Sequence, residues 1–247
     1  MKLILTSYLG GASKENGVRL PSMLVQNNGQ LHTIRSAWPY NARVLIICSD
    51  PNDYEKNDSV CRCMKESLPM SSLSIAYVCI CDNRNRFAVD DLKNIDVIML
   101  AGGHVPTQNQ FFQEIDLKNK IKCFGGLVIA WSAGSMNCAE NVYAIPEIEG
   151  EAINPNYQRW IEGLGLTDIN IFPHFQSFRE EMLDDMRVIE DIVFPDSFTH
   201  DVVGLNDGSY IVVDKDTKML CGEAYSIRDG KMKQICKNGE FIFLDND

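Results

Sequence analysis

The 247-residue chain has no apolar run approaching the ~20 residues that a membrane-spanning helix needs. It is also short of positive charge: 23 lysines and arginines face 34 aspartates and glutamates, for a formal net charge of −11. Binding of nucleic acid by phosphate neutralisation is therefore not expected. A local cation could still serve an anionic substrate. Histidine is scarce, with four in the chain, so the search for a general base is short. There are no repeats and no low-complexity linker, and residues 1–247 read as one domain.

The first apolar stretch, Leu3-Ile4-Leu5, is too short for a signal peptide and reads as a strand, so a cytoplasmic location is expected. Nine cysteines make an odd count. Cys61-x-Cys63 and Cys79-x-Cys81 carry one-residue spacers, whereas zinc pairs use roughly two to four. No metal site is expected, and reduced thiols are the simple account.

What is present is an alternation. Hydrophobic residues make up 45% of the chain, enough for a sizeable core. Apolar runs at 3–8, 44–48, 73–80, 97–100, 127–130 and 169–172 read as strands. Between them come helix-like segments: 30–37, one opening at Ser49-Asp50-Pro51, 87–92, one opening at a capping box on Thr107, and an amphipathic stretch at 178–193. The glycine-bearing segment from Gly10 to Pro21 reads as a long loop. From Val202 onward short strands at 202–205, 210–213, 224–227, 232–235 and 241–244 alternate with Asn-Asp-Gly, Asp-Gly and Asn-Gly turns. The pattern predicts an α/β fold with a mostly parallel central sheet covered on both faces, and C-terminal antiparallel hairpins extending the sheet edge. Ligands on such sheets bind beyond the C-terminal strand ends.

Two strand ends stand out. Leu100-Ala101-Gly102-Gly103 closes one. Ala130-Trp131-Ser132-Ala133-Gly134 closes another, and it differs by one residue from the Gly-x-Ser-x-Gly nucleophile elbow. There a tight strand-to-helix turn exposes a serine; the bland alternative is a serine capping the next helix. An oxyanion hole would come from the N–H of Ala133 and of Gly102 or Gly103. Among the histidines, His32 falls in a helix and His200 near a strand start at the surface. His104, after the glycine pair, and His174, between Pro173 and Phe175 at a strand end, are credible pocket residues.

Together, Leu100–Gly103, the Trp-Ser-Ala-Gly elbow, Ile171-Phe172-Pro173-His174-Phe175 and Val203-Gly204-Leu205-Asn206-Asp207-Gly208-Ser209 resemble the peptidase E (aspartyl dipeptidase) and cyanophycinase family of serine peptidases. The resemblance implies a three-layer sandwich like that of the class I glutamine amidotransferases, with serine in place of their cysteine. It makes Ser132 the nucleophile and His174 the base. Asp207 stands where typical relatives carry a glutamate, and it is the first choice to orient His174. Glu147, where peptidase E carries an aspartate, is the alternative and could instead lie near the substrate. Relatives continue the glycine pair with Asn-Thr. His104-Val105 replaces that here, so His104 becomes a candidate substrate contact. An N-terminal aspartate calls for a cation, and Arg179 is the candidate, its alternative being an ordinary helix-surface arginine.

The expected function is hydrolysis of small peptides, including N-terminal aspartyl dipeptides, through an acyl-enzyme without metal or organic cofactor. Two alternatives stay open: a non-peptide amide or ester hydrolase, and a noncatalytic ligand-binding protein on the same shell. The expected partner is a small peptide; a homodimer is left open.

Overall fold

A computed structural model describes residues 1–244. The apolar runs that are too short for core helices become its central strands. In spatial order the eight-stranded sheet runs Phe241–Leu244, Thr217–Cys221, Tyr210–Asp214, Lys2–Thr6, Leu127–Trp131, Val97–Leu100, Ala42–Ile47 and Ile75–Cys81. The five strands from Lys2–Thr6 onward pair in parallel. The other three add antiparallel pairs. Ile4 lies opposite Ile129, and Ile129 opposite Met99. All three are fully buried, as expected where both faces of a sheet are covered. Each such side chain removed from water contributes about 1.5–3 kcal/mol.

Helix Tyr54–Met70 covers part of this sheet. Asp53 caps it by accepting the Lys56 N–H at 3.1 Å, and Val60, Met64 and Leu68 form its buried stripe. A smaller four-stranded sheet is ordered Ile171–Phe172, Val202–Leu205, Ala224–Arg228, Lys231–Cys236. Its first pair is parallel and the rest antiparallel. The turn at residues 206–209 passes the chain from the smaller sheet into the larger one.

Several expectations are corrected. The segment expected as a loop is a hairpin, Gly10–Glu15 against Val18–Leu24. Asn16 and Gly17 both take positive φ, the Asn-Gly turn that suits tight hairpins. The stretch 178–193 is not one amphipathic helix. A helical turn Phe175–Phe178 is followed by a small hairpin, Met182–Leu183 against Met186–Arg187, and then a π-helical segment Val188–Val193. Asp184 and Asp185 sit at positive φ and break the helical path. Residues 87–92 form parts of two short 3₁₀ turns, Arg86–Val89 and Leu92–Asn94. Helix Val105–Glu114 starts before the Thr107 box, with Pro106 in its first turn. Strand Thr217–Cys221 carries no clear alternation and is an addition. Of the C-terminal strands, only those at 210–214 and 241–244 join Thr217–Cys221 in extending the large sheet; the others build the smaller one. Among the described residues, no helix is long and apolar enough to cross a membrane.

Candidate active site

Ser132 follows the buried strand Leu127–Trp131 and takes φ +51° and ψ −124°, before the single helical turn Ala133–Met136. Such a backbone costs on the order of 1–3 kcal/mol in a non-glycine residue and persists only when its surroundings hold it. Here the Ser132 N–H donates to the Thr6 carbonyl at 3.1 Å, and the Ser135 hydroxyl donates to the same carbonyl at 2.9 Å. The turn must also press against the neighbouring strand. A Cβ on Gly134 would lie 2.3 Å from the Leu100 carbonyl oxygen, so only glycine fits. Ala130, in place of the elbow's first glycine, is fully buried with its carbonyl accepting from the Thr6 hydroxyl at 3.0 Å.

Gly102 closes the adjacent strand. A Cβ there would meet the Ser132 Cβ and the Trp131 ring at 2.9 Å, which measures how near this backbone comes to the serine. Among the described residues, the N–H groups of Gly102, Gly103 and Ala133 have no protein acceptor. They are available to an oxyanion.

His174 arrives from the smaller sheet, one residue beyond Pro173, with φ +53°. Its N–H donates to the Ser7 hydroxyl oxygen at 2.8 Å, and its Nδ1 lies 2.7 Å from Asp207 Oδ1. Ser7 in turn donates its hydroxyl to Asp207 Oδ1 at 2.8 Å. The Asp207 N–H donates to Gln176 Oε1 at 2.9 Å. Burial pushes the Asp207 carboxyl up, but the bonds to His174, Ser7 and Gln176 outweigh it and hold the group below the usual aspartate range. An ionised Asp207 only accepts, so the Nδ1–H tautomer follows and Nε2 is left free. Ser7 is not among the candidates the sequence offers. Thr6 and Ser7, a polar pair at the end of an apolar strand, are both fully buried, which only the fold reveals.

Ser132, His174 and Gly103 line one pocket of about 370 Å³. Phe178, Leu183 and Val188 give it apolar walls, and Glu147 and Glu181 supply carboxylates. Among the described residues, the Ser132 hydroxyl makes no hydrogen bond, so the serine is not yet joined to the imidazole. A cavity of about 330 Å³ near Phe112 has neither histidine, serine nor cysteine in its lining, and its Lys118 is already paired with Glu162 at 2.6 Å.

Peptidase family S51 matches residues 50–221, a span that includes Ser132, His174 and Asp207. The chain belongs to peptidase family S51. It is thus a peptidase by family. A solved structure of a Listeria monocytogenes EGD-e protein, provisionally named a peptidase E, is 16% identical, with a TM-score of 0.57. The likeness covers 95% of this chain and 98% of that one, and it shows a shared fold. No curated protein matches the chain.

The other candidate residues of this S51 chain are distributed as follows. Glu147 reaches the pocket and not the imidazole's Nδ1, which Asp207 holds. It is open to solvent on one side, yet the surrounding walls and the neighbouring Glu151 push its carboxyl up to about 7. His104 is turned aside: Nδ1 meets the Thr107 hydroxyl at 2.8 Å and Nε2 meets Glu151 Oε1 at 3.1 Å. Glu151 also accepts the N–H groups of Glu147 and Ile148, so His104 helps fasten the loop that carries Glu147. Arg179 is not brought to the pocket. Its guanidinium lies 4.4 Å from the Tyr225 ring centre and 3.8 Å from Glu223.

Proposed function

We propose that this S51 chain is a serine-type peptidase of small peptides, with Ser132 as nucleophile, His174 as general base and Asp207 as the residue that orients it. The observation that carries this reading is the 2.7 Å contact between His174 Nδ1 and Asp207 in the pocket that also holds a strained Ser132. His174 Nε2 takes the Ser132 proton as Oγ attacks the substrate carbonyl. The N–H groups of Ala133 and of Gly102 or Gly103 receive the developing oxyanion. His174 then returns the proton to the departing amine, and water repeats the sequence on the acyl-enzyme. A pocket of about 370 Å³ suits a small peptide rather than a folded protein. The same contact favours Asp207 over Glu147 as orienter.

The test is labelling by a fluorophosphonate. An adduct mapped to Ser132 and lost in His174→Ala supports the reading. Absence of any adduct favours a noncatalytic binding protein. A panel of dipeptides, isoaspartyl peptides and simple esters separates the remaining alternative, since turnover of esters alone would exclude a peptidase.

A further inference from the structure

The end of the first strand, Lys2–Thr6, reaches all three members of the proposed triad. Thr6 lies opposite Trp131, the residue before the nucleophile, and opposite Tyr210, just after the turn that carries Asp207. The Thr6 carbonyl accepts the Ser132 N–H at 3.1 Å, and the Ser7 N–H donates to the Ser209 carbonyl at 3.2 Å. That carbonyl and that N–H belong to the same planar peptide unit. The Ser132 backbone and the turn at residues 206–209 are thus held on opposite edges of one rigid plate. The Ser7 side chain completes the link. Its hydroxyl donates to Asp207 Oδ1 at 2.8 Å and accepts the His174 N–H at 2.8 Å. Thr6 and Ser7 are fully buried, so bulk water does not compete for these bonds.

A buried serine is ordinarily satisfied by one nearby carbonyl, and its loss then costs stability alone. Ser7 instead places its one proton on the carboxylate that orients the base, and a lone pair on the base's own backbone N–H. His174 sits at φ +53°, a conformation that its surroundings must enforce. Its ring meets Asp207 Oδ1, the same oxygen that Ser7 binds. We propose that Ser7 is a positioning residue: its hydroxyl fixes the His174 backbone and the Asp207 carboxylate in one register, so that Nδ1 carries the proton and Nε2 faces Ser132. This role rests on the serine-peptidase reading. Without the hydroxyl, the His174 N–H loses its buried acceptor and Asp207 Oδ1 loses one of its two donors. The ring then swings off the line to Ser132, while the pocket that receives the substrate keeps its walls. The Thr6 hydroxyl is a built-in control. It donates to the Ala130 carbonyl at 3.0 Å, equally buried and one residue away, and bonds to neither His174 nor Asp207.

Ser7→Ala, Ser7→Cys and Thr6→Val are compared with the parent protein in two measurements. The first is kcat and KM on a peptide that the parent turns over. Expected for Ser7→Ala is a fall in kcat of about a hundredfold, the effect of about an ångström of misplacement, with KM within about threefold. Ser7→Cys fills nearly the same space with a weaker donor and should lie in between; it takes the place of Ser7→Ala if that variant does not fold. The second is the tautomer of His174 at about pH 8, read from the nitrogen NMR shifts of its imidazole. The Nδ1–H form should dominate in the parent and lose ground to Nε2–H in Ser7→Ala. Thr6→Val should unfold at a lower temperature with the tautomer unmoved. A kcat in Ser7→Ala within about threefold of the parent overturns the proposal. So does a tautomer that shifts no further in Ser7→Ala than in Thr6→Val, since Ser7 then only supports the fold. A parent ring in the Nε2–H form overturns the proposal together with the triad. If the parent turns over no peptide, the serine-peptidase reading fails and the tautomers alone decide the role of Ser7. A shift confined to the Ser7 variants then supports the positioning of His174, and no shift overturns it.

Discussion

At Asp207 one side chain sets the state of another. It is held below the usual aspartate range by His174, Ser7 and Gln176 against the opposing pull of burial. The folded chain therefore stabilises its ionised form, a contribution present above the unfolded aspartate range and lost as pH falls through the lowered value. Asp207→Asn should keep the geometry but favour the wrong imidazole tautomer. The expected loss in kcat is on the order of 10²–10⁴-fold, with KM little changed; activity within about twofold of the parent would remove Asp207 from the triad. Glu147 works in the other direction. Its carboxyl is raised from 4.5 to about 7, so the folded chain binds that proton more tightly than the unfolded one. Stability should fall as pH rises through that window. Glu147→Gln should be the more stable protein at pH 8 by on the order of 1 kcal/mol, after allowing for the solvent that reaches the group. The two should converge near pH 4; urea unfolding at both pH values is the check. Of the candidate site, Ser132 and His174 were legible as candidates because each ends an apolar strand, whereas their roles, and Asp207 altogether, were legible only through the family resemblance. Ser7 was not, since a serine after a short strand has no signature until the fold shows what it faces. Glu181 was hidden because the surrounding acids suit an outward helix face equally well.

Among the elements, the parallel strands were legible from their unbroken apolar runs. Boundaries and connections were less so. The stretch 178–193 has real helical spacing at Ile189 and Val193, both buried, but the Asp184-Asp185 turn overrides it. That turn has work to do. Asp184 accepts the Gly150 N–H at 2.7 Å and the Ala152 N–H at 3.0 Å, tying the small hairpin to the loop that bears Glu147. Asp184→Ala should loosen two walls of the pocket together. A rise in KM of severalfold is expected, with fluorophosphonate labelling of Ser132 retained; an unchanged KM would show that the loop is held by other contacts. The N-terminal hairpin was missed for a simpler reason: its Asn16-Gly17 turn sits among glycines and polar residues that also suit a loop.

In the whole molecule, the division of labour between two sheets could not be read from the sequence. Antiparallel strands with similar turns look alike whether they extend one sheet or found another, because the choice is made by long-range packing. A check on the packed state comes from the thiols. Of nine cysteines, Cys123 is exposed, Cys79 is half-buried and the others are buried. Burial pushes the Cys81 thiol up to about 12. A maleimide should therefore modify Cys123 quickly in the native protein, and all nine positions only after unfolding; rapid uptake at buried positions would contradict this core.

The positions of Ser132, His174 and Asp207 have a further consequence. Ser132 ends a strand of the large sheet, His174 ends one of the small sheet, and Asp207 lies in the turn that joins them. With the proposed triad, catalytic competence becomes a vernier on the alignment of two slabs: a slip of about an ångström between them would silence turnover while every strand stayed intact. On gentle heating or in mild denaturant, turnover should vanish before the circular-dichroism signal of the sheets begins to fade.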